Sequence, residues 1–312
     1  MSSHSLVSKK IAIIGSGFVG TSFAYAAMIR NIATEIILYD RNFEKAEGEA
    51  MDLDHGLAFV ETGGVRAARG YDDLAEADII VITAGLNQKP GQTRLDLIAE
   101  NAKIMKEIIT ELDRAVPDAI LLIVSNPVDI LTSIAARLSK RPKEKIIGSG
   151  TVLDTARLHY LLGKESGVSP HSVGGYILGE HGDSEFVAWS TVDVGGNDSE
   201  HMNISPVRRL ELERETREAA YEIIKRKSAT YFGIGLALCE IVESIVYDQR
   251  MVLSVSVPMH PMVKKDGVAL GLPTIIGCSG AEGYVTLELT EEESILLEKS
   301  VATIDQYLRQ VP

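Results

Sequence analysis

A glycine-rich stretch near the N-terminus constrains the fold of this 312-residue chain more than any other feature. Gly15, Gly17 and Gly20 form a Gly-x-Gly-x-x-Gly pattern directly after the apolar, isoleucine-rich run 11–14. The first glycine permits a tight turn, the second lets a pyrophosphate reach backbone N–H groups, and the third allows a helix to pack closely on the strand. The pattern therefore predicts a strand–turn–helix unit that binds a dinucleotide.

An acidic residue stands where such a unit needs one. Asp40 ends a second predicted strand, residues 35–40, and lies 20 residues after Gly20. A carboxylate there can accept hydrogen bonds from the adenosine ribose hydroxyls, and it would repel the 2′-phosphate of NADP. We therefore expect NAD as the cofactor, although an aspartate that only starts a turn is the simpler alternative.

The first half of the chain alternates strand and helix patterns. Near-continuous apolar strands separated by helices indicate a parallel sheet that is covered on both faces. We predict an α/β fold, with a Rossmann dinucleotide-binding domain over residues 1–150. Its predicted strands are residues 11–14, 35–40, 77–83, 119–125 and 146–147, and its first helices are residues 18–29 and 43–57.

The second half has a different pattern, with short strands between charged amphipathic helices. We predict an α+β substrate domain with antiparallel strands over residues 151–312. The predicted helices are residues 152–162, 211–227 and 291–308, and the predicted strands are residues 172–178, 186–190, 252–257 and 284–289. The glycine-containing stretches 267–272 and 277–283 are expected to form hairpin turns.

Composition excludes several classes of function. Lysine and arginine total 31 against 44 aspartates and glutamates, and the net charge of −13 argues against nucleic-acid binding. Cys239 and Cys278 belong to no Cys-x-x-Cys pair, so we predict two buried free thiols, a reducing compartment and no metal site. The sequence has no apolar stretch of about 20 residues, so we expect no membrane span and a cytoplasmic location.

Five polar motifs follow the glycine pattern. Each has a structural alternative, because an i, i+3 pair can lie on a helix surface, a histidine can be a core residue, and a loop arginine can be solvated. The motifs are the loop 86–94 with Gln88 and Arg94, the strand end Ser125-Asn126-Pro127, the helical pair Asp154 and Arg157, the segment Gly179-Glu-His181-Gly-Asp183, and the residues Thr230 and Ile234.

Taken together, the glycine pattern and these motifs resemble the L-lactate/malate dehydrogenase family in the same order and over nearly the whole chain. Among its members, the chain is most similar to the bacterial L-lactate dehydrogenases. The resemblance implies NADH-dependent reduction of pyruvate to L-lactate, as in glycolysis and pyruvate fermentation. It also implies a homotetramer, or a dimer, that takes a small 2-keto or 2-hydroxy acid.

The resemblance also assigns roles to residues. His181 is expected to be the acid–base residue, Asp154 to hold its other ring nitrogen, and Arg157 to bind the substrate carboxylate. Arg94 is expected to move in and polarise the carbonyl. Gln88, Asn126 and Thr230 are expected to contact the substrate. The expected cofactor contacts are Gly15, Gly17, Phe18, Val19, Gly20, Asp40, Thr83, Ala84, Gly85, Asn101, Val124, Asn126 and Ile234.

Gln88 distinguishes two activities within the family. Malate dehydrogenases carry an arginine at the matching position, where it pairs with a second substrate carboxylate, whereas Gln88 is neutral. We therefore expect pyruvate rather than oxaloacetate. Malate dehydrogenase and L-2-hydroxyisocaproate dehydrogenase remain alternatives, and a non-catalytic NAD-binding protein is the alternative from another class.

A regulatory expectation also follows from the resemblance. Many bacterial members are activated by fructose 1,6-bisphosphate, which an arginine and a histidine hold between subunits. The matching positions are His159 and Gly174, and both depart from that pattern. We expect weak or absent activation by this sugar phosphate.

Overall fold

The computed structural model describes residues 9–61, 63–86, 94–198 and 204–311. Within these ranges the strands are β1 Lys10–Ile14, β2 Glu35–Tyr39, β3 Val65–Ala68, β4 Ile79–Ile82, β5 Ile120–Ile123, β6 Ile146–Gly148, β7 Val173–Gly174, β8 Ile177–Leu178, β9 Phe186–Val187, β10 Asp193–Val194, β11 Asn197–Asp198, β12 Met251–Val257, β13 Leu270–Gly277 and β14 Gly280–Tyr284. The α-helices are α1 Phe18–Arg30, α2 Phe43–Asp54, α3 Arg94–Ala115, α4 Val128–Leu138, α5 Val152–Ser166, α6 Pro206–Lys227, α7 Phe232–Val246 and α8 Glu291–Leu308.

A nine-stranded sheet runs through the molecule in the order β14-β13-β12-β6-β5-β4-β1-β2-β3. Strands β1 to β6 are parallel and have the 3-2-1-4-5-6 order of the doubly wound dinucleotide-binding fold. The predicted α/β class with a Rossmann sheet is thereby confirmed. Strands β12 to β14 extend this sheet in antiparallel orientation, and β12 meets β6 where Ser256 lies opposite Gly148.

The central strands are apolar because both faces of the sheet are covered. Ile11 and Ile13 of β1 pack into the core on the side of α1 and α7. Ala12 and Ile14, which alternate with them, pack into the core on the side of α3 and α4. Period-two alternation thus sends neighbouring residues of one strand into two different cores.

Helix α7 packs against α1, although the two helices are more than 200 residues apart in the sequence. Gly235 makes the close approach possible, since a Cβ at this position would lie only 3.2 Å from the backbone of Ser22. Phe23 and Ala27 of α1 share one apolar core with Leu238 and Ile241 of α7. The second half of the chain therefore completes a core that the first half begins.

Two smaller cores lie beyond the central sheet. In the first of these cores, α8 packs against Leu178, Phe186 and Leu272. In the second core, α5 packs against Ile177 and Leu212. Glu293 caps the start of α8 and accepts hydrogen bonds from the N–H and hydroxyl of Ser190. These cores support the segment 177–188, which contains the predicted histidine motif.

Several boundaries in the second half differ from those predicted. The stretch 277–283 is a turn only at residues 278–279, because Gly280–Tyr284 pairs with β13. The predicted strand 284–289 is wrong, since regular pairing ends at Tyr284. Residues 270–272 belong to β13 rather than to a turn, and only residues 186–187 of the predicted strand 186–190 are paired.

The first half of the chain also differs from the prediction in two secondary-structure elements. Strand β3 was not predicted, because Val65–Ala68 is short and has only two buried residues. Helix α2 ends at Asp54, three residues before the predicted end. In the second half, Cys239 is buried as predicted, but Cys278 lies exposed in the turn between β13 and β14, so the prediction of two buried thiols is wrong.

In the described ranges, no helix combines the length and the apolar character that crossing a bilayer would require.

Candidate active site

The glycine pattern forms the turn between β1 and α1. Gly15 has a φ of +104°, a conformation that residues with a Cβ rarely adopt. At Gly20, a Cβ would lie 2.1 Å from the carbonyl oxygen of Gly15, so only glycine lets helix and strand approach this closely. At Gly17, a Cβ would meet no atom of the described residues within 4 Å. The turn is thus open at the position where a pyrophosphate must come close.

A cavity of about 1,070 Å³ borders this turn. Asp40 lies at its edge, where one carboxylate oxygen accepts hydrogen bonds from the N–H (3.0 Å) and hydroxyl (3.1 Å) of Ser16. The other oxygen accepts from the N–H of Asn42 at 3.0 Å. These contacts orient the Asp40 carboxylate beside the glycine turn. The cavity lining also includes Gly15, Gly17, Thr83, Ala84 and Gly85.

A buried asparagine connects the loops at the ends of β4 and β5. The side chain of Asn101 accepts a hydrogen bond from the N–H of Leu86 at 2.8 Å, and it donates to the carbonyl of Asn126 at 2.9 Å. The amide nitrogen also donates to the carbonyl of Leu86. Asn101, predicted as a cofactor contact, therefore uses its side chain to hold two loops in register. The hydroxyl of Thr83 donates to the carbonyl of Gly15, which ties the β4 loop to the glycine turn.

His181, Asp154 and Arg157 form one hydrogen-bonded group. Asp154 and Arg157 lie on successive turns of α5, while His181 lies in the loop between β8 and β9. One carboxylate oxygen of Asp154 lies 2.6 Å from Nδ1 of His181, and the other accepts from Nη1 of Arg157 at 2.5 Å. Asp154 is only 1% exposed, which excludes the alternative of a surface helix pair.

The charges of this group change its proton affinities. The Asp154 carboxylate raises the pKa of His181 to about 9, against the opposing effect of burial. Burial by itself would raise the pKa of Asp154, but the charges of His181 and Arg157 hold that pKa below its usual value. The His181 side chain remains 28% exposed, so its Nε2 edge can meet a ligand while Nδ1 faces Asp154.

A further carboxyl group holds the backbone of the histidine loop. Asp129, in the first turn of α4, is buried and accepts hydrogen bonds from the N–H of His181 and from the hydroxyl of Ser256, both at 2.7 Å. Burial raises the pKa of Asp129 to about 7, although both hydrogen bonds act in the other direction. Asp129 links α4, β12 and the His181 loop at one point.

Sequence reasoning missed Asp129 and also Glu185, which lies buried close to His181. A sequence signal exists only for Asp129, which is a single acid between the apolar residues Val128 and Ile130. An acid in such a position is seldom buried without a specific partner. Glu185 follows the acid Asp183 by two residues and gives no such signal.

The other predicted site residues are distributed over several segments of the chain. Gln88 lies outside the described residues, as does the side chain of Arg94, whose backbone begins α3. Phe18 stacks its ring on Tyr231 with centroids 5.1 Å apart. Val19 and Ile234 pack at the edge of the α1–α7 core, and Val124, at the end of β5, belongs to it. Thr230 lies two residues before the start of α7 in a half-buried position.

The segment expected to differ from sugar-phosphate-activated relatives has an acidic neighbour. Nε2 of His159 lies 2.9 Å from the carbonyl oxygen of Gly175, and burial lowers the pKa of His159. A Cβ at Gly174 would lie 2.0 Å from a carboxylate oxygen of Asp193. A neutral histidine beside a carboxylate offers little to a phosphate group.

We therefore predict that fructose 1,6-bisphosphate changes the KM for pyruvate, the substrate that the resemblance implies, by less than about twofold, because the groups around His159 do not favour an anion. Initial rates at neutral pH, with and without the sugar phosphate, measure this change. Inorganic sulfate at equal ionic strength is the control. Strong activation by the sugar phosphate alone would contradict the prediction.

Comparisons with known proteins identify the family. Residues 9–148 match the lactate/malate dehydrogenase, NAD binding domain, and residues 151–311 match the lactate/malate dehydrogenase, alpha/beta C-terminal domain. The chain therefore belongs to the lactate/malate dehydrogenase family.

Similar curated proteins and solved structures agree with this membership. An L-lactate dehydrogenase of Acetivibrio thermocellus is 44% identical over 310 residues, which cover 97% of each chain. One from Priestia megaterium is 43% identical over 303 residues, covering 96% of this chain and 95% of the relative. The crystal structure of a minor L-lactate dehydrogenase from Enterococcus mundtii has a TM-score of 0.93 at 40% identity, covering 98% of this chain and 99% of the other.

The cofactor of this family fits the observed site. NAD is the cofactor expected from the matched NAD-binding domain. The Gly17 position is open to a pyrophosphate, and the Asp40 carboxylate at the cavity edge can accept ribose hydroxyls. Residues 14–17, Asp40 and Thr83–Gly85 would hold it. When bound, the nicotinamide exchanges a hydride with the substrate carbon.

Proposed function

We propose that the chain is an L-lactate dehydrogenase, which catalyses the reversible NADH-dependent reduction of pyruvate to L-lactate. The observation that carries this proposal is the Asp154 carboxylate, which bonds to His181 through one oxygen and to Arg157 through the other. An acid–base group and a carboxylate-binding group are thus fixed relative to each other. The L-lactate dehydrogenases similar over nearly the full length support the same activity.

His181 would supply the proton in this reaction. With Asp154 at Nδ1, the free Nε2–H of the imidazolium can donate to the keto oxygen of pyruvate. In lactate oxidation, the neutral ring takes the hydroxyl proton back. A pKa of about 9 keeps His181 protonated at neutral pH, which favours the direction of reduction.

Arg157 would bind the substrate carboxylate. Its Nη1 donates to Asp154, and the remaining N–H groups of its planar guanidinium can form a two-point contact with a carboxylate. Asn126 and Thr230 would contribute polar contacts to the same substrate. We assign the polarisation of the carbonyl to Arg94, the residue at which α3 begins.

Gln88 supports pyruvate over oxaloacetate as the substrate. A closed site without a second cation strongly disfavours a second carboxylate, because a buried charge without a partner is costly. Malate dehydrogenase is therefore the weaker candidate. L-2-Hydroxyisocaproate dehydrogenase, which takes larger 2-keto acids, differs in pocket volume rather than in charge.

A panel of 2-keto acids tests the proposal directly. The oxidation of NADH is followed with pyruvate, oxaloacetate and 2-ketoisocaproate at fixed enzyme concentration. The proposal expects the highest kcat/KM with pyruvate. A higher kcat/KM with oxaloacetate or with 2-ketoisocaproate would replace it by the corresponding alternative, and absence of turnover with every acid would leave a non-catalytic NAD-binding protein.

A substitution at Gln88 gives a sharper prediction. Gln88→Arg should raise the ratio of kcat/KM for oxaloacetate to that for pyruvate by on the order of 10²-fold, because the new cation pairs with the second carboxylate. Gln88→Leu, which is neutral and of similar volume, is the matched control and should not favour oxaloacetate. Steady-state kinetics on both acids measure the ratio. An unchanged ratio in the arginine variant would show that residue 88 does not face the substrate.

We also propose a homotetramer, with a dimer as the alternative, in the cytoplasm. An exposed apolar face on α1 and α7 supports association between copies, and each of its large side chains is more than half exposed. This face consists of Phe18, Tyr25, Ile29, Phe232 and Leu236. Light scattering on the purified protein distinguishes four chains from two.

We place the boundary between the NAD-binding and substrate domains near residue 150.

A further inference from the structure

Glu185 is a buried acid beside the catalytic histidine. It lies between the His181 loop and β9, and it is 6% exposed. Its carboxyl group, the Asp154 carboxylate and the His181 ring have ligand atoms that all lie within 4.8 Å of one another. The acid–base site therefore contains two carboxyl groups around one imidazole, of which only Asp154 has been assigned a role.

We propose that Glu185 is a positioning residue for proton transfer, which acts through His181 by placing a negative charge beside the protonated imidazole when the solution becomes alkaline. The proposal rests on the proposed function, because it gives a role to Glu185 in the same acid–base step. It adds a second carboxyl group to the His181–Asp154 pair.

The charges around Glu185 come from three elements. Asp154 and Arg157 face it from α5, His181 from the preceding loop, and Arg217 from α6. Arg217 also donates a hydrogen bond from Nη2 to the backbone carbonyl of Glu185 at 3.4 Å. Asp129 faces the same imidazole from α4. Glu185 thus interacts electrostatically with two arginines, with His181 and with the Asp154 carboxylate.

This environment decides when Glu185 carries a charge. Burial, followed by the charge of Asp154, raises the pKa of Glu185 to about 8, although His181, Arg157 and Arg217 act in the other direction. Glu185 therefore holds a proton at neutral pH. Its charge in turn helps to raise the pKa of His181, so the two groups titrate together.

The coupling between Glu185 and His181 has a consequence for the reaction. When Glu185 ionises, its negative charge lies beside the imidazolium and stabilises it. His181 then remains protonated to a higher pH than Asp154 alone would allow. Reduction of a 2-keto acid requires the imidazolium, so Glu185 extends the alkaline range of that direction.

The variant Glu185→Gln tests this role, because glutamine has the shape of the protonated acid but cannot ionise. The alkaline fall of kcat/KM for pyruvate should move to lower pH by about half a unit to one unit, a roughly three- to tenfold loss above pH 9. At neutral pH the loss should be small. Glu293→Gln, an equally buried glutamate on α8, is the matched control and should leave the pH profile in place. An unshifted profile for Glu185→Gln would overturn the proposal.

A second measurement needs no substrate and so separates this proposal from the proposed function. NMR of ¹⁵N-histidine-labelled enzyme, with the His181 signal assigned by its loss in His181→Asn, follows the ring through its titration. The His181 midpoint should lie lower in Glu185→Gln than in the wild type. If the glutamine variant does not fold, the wild-type curve should still be broader than a single ionisation, and a single-ionisation curve would contradict the coupling.

Discussion

His181→Asn should abolish most of the turnover while NADH still binds with nearly unchanged affinity. Asparagine can keep a hydrogen bond near Asp154, but it cannot donate and accept a proton at the reacting oxygen. Loss of a general acid–base group costs about 10²–10⁴-fold in kcat. Single-turnover kinetics with pyruvate measure the chemical step, and fluorescence titration measures NADH binding.

The matched control for this variant is His171→Asn, since His171 is an exposed histidine outside the site. It should retain the kcat and the NADH affinity of the wild type. If His181→Asn kept its turnover, proton transfer would have to be reassigned to another residue. Loss of NADH affinity together with turnover would instead indicate a wider structural defect.

Arg157→Lys should lower kcat/KM for pyruvate by about 10²–10³-fold although the positive charge is kept. The guanidinium bonds to Asp154 through Nη1 and can still offer two parallel N–H groups to a carboxylate. A lysine ammonium is a single point of contact and cannot do both with the same geometry. Steady-state kinetics with pyruvate measure the loss, and both a raised KM and a lowered kcat are expected.

Arg208→Lys is the matched control for the arginine substitution. Arg208 forms exposed ion pairs with Glu165, Glu211 and Glu215, and exposed pairs of this kind contribute little. Its kcat/KM should stay within about twofold of the wild type. If Arg157→Lys also stayed in that range, the carboxylate would have to bind elsewhere, and the proposed substrate orientation would be wrong.

The parallel half of the fold could be predicted because local and global patterns agree there. The run 11–14 is apolar at every position, as a strand that is buried on both faces must be. The antiparallel extension was harder to predict. Gly280–Tyr284 contains two glycines and no β-branched residue, so it resembles a turn, and only its pairing with β13 makes it a strand.

The site could be predicted in part for a similar reason. Asp154 and Arg157 are neighbours on a helix, so their spacing already indicated a contact. The contact of Asp154 with His181 joins residues 27 positions apart in the sequence, and it was predicted from the family resemblance rather than from spacing. The sequence could not place Asp129 and Glu185 beside His181, even where it marks Asp129 as an acid within an apolar run, because only the folded chain brings these residues together.

The contact between α1 and α7 makes the two segments of the chain interdependent. Residues 1–150 produced alone would leave Phe23 and Ala27 without the cover that Leu238 and Ile241 provide. Such a fragment would expose an apolar surface to water and would tend to self-associate. The nucleotide-binding segment is therefore expected to complete its folding only after α7, which ends at Val246, has been synthesised.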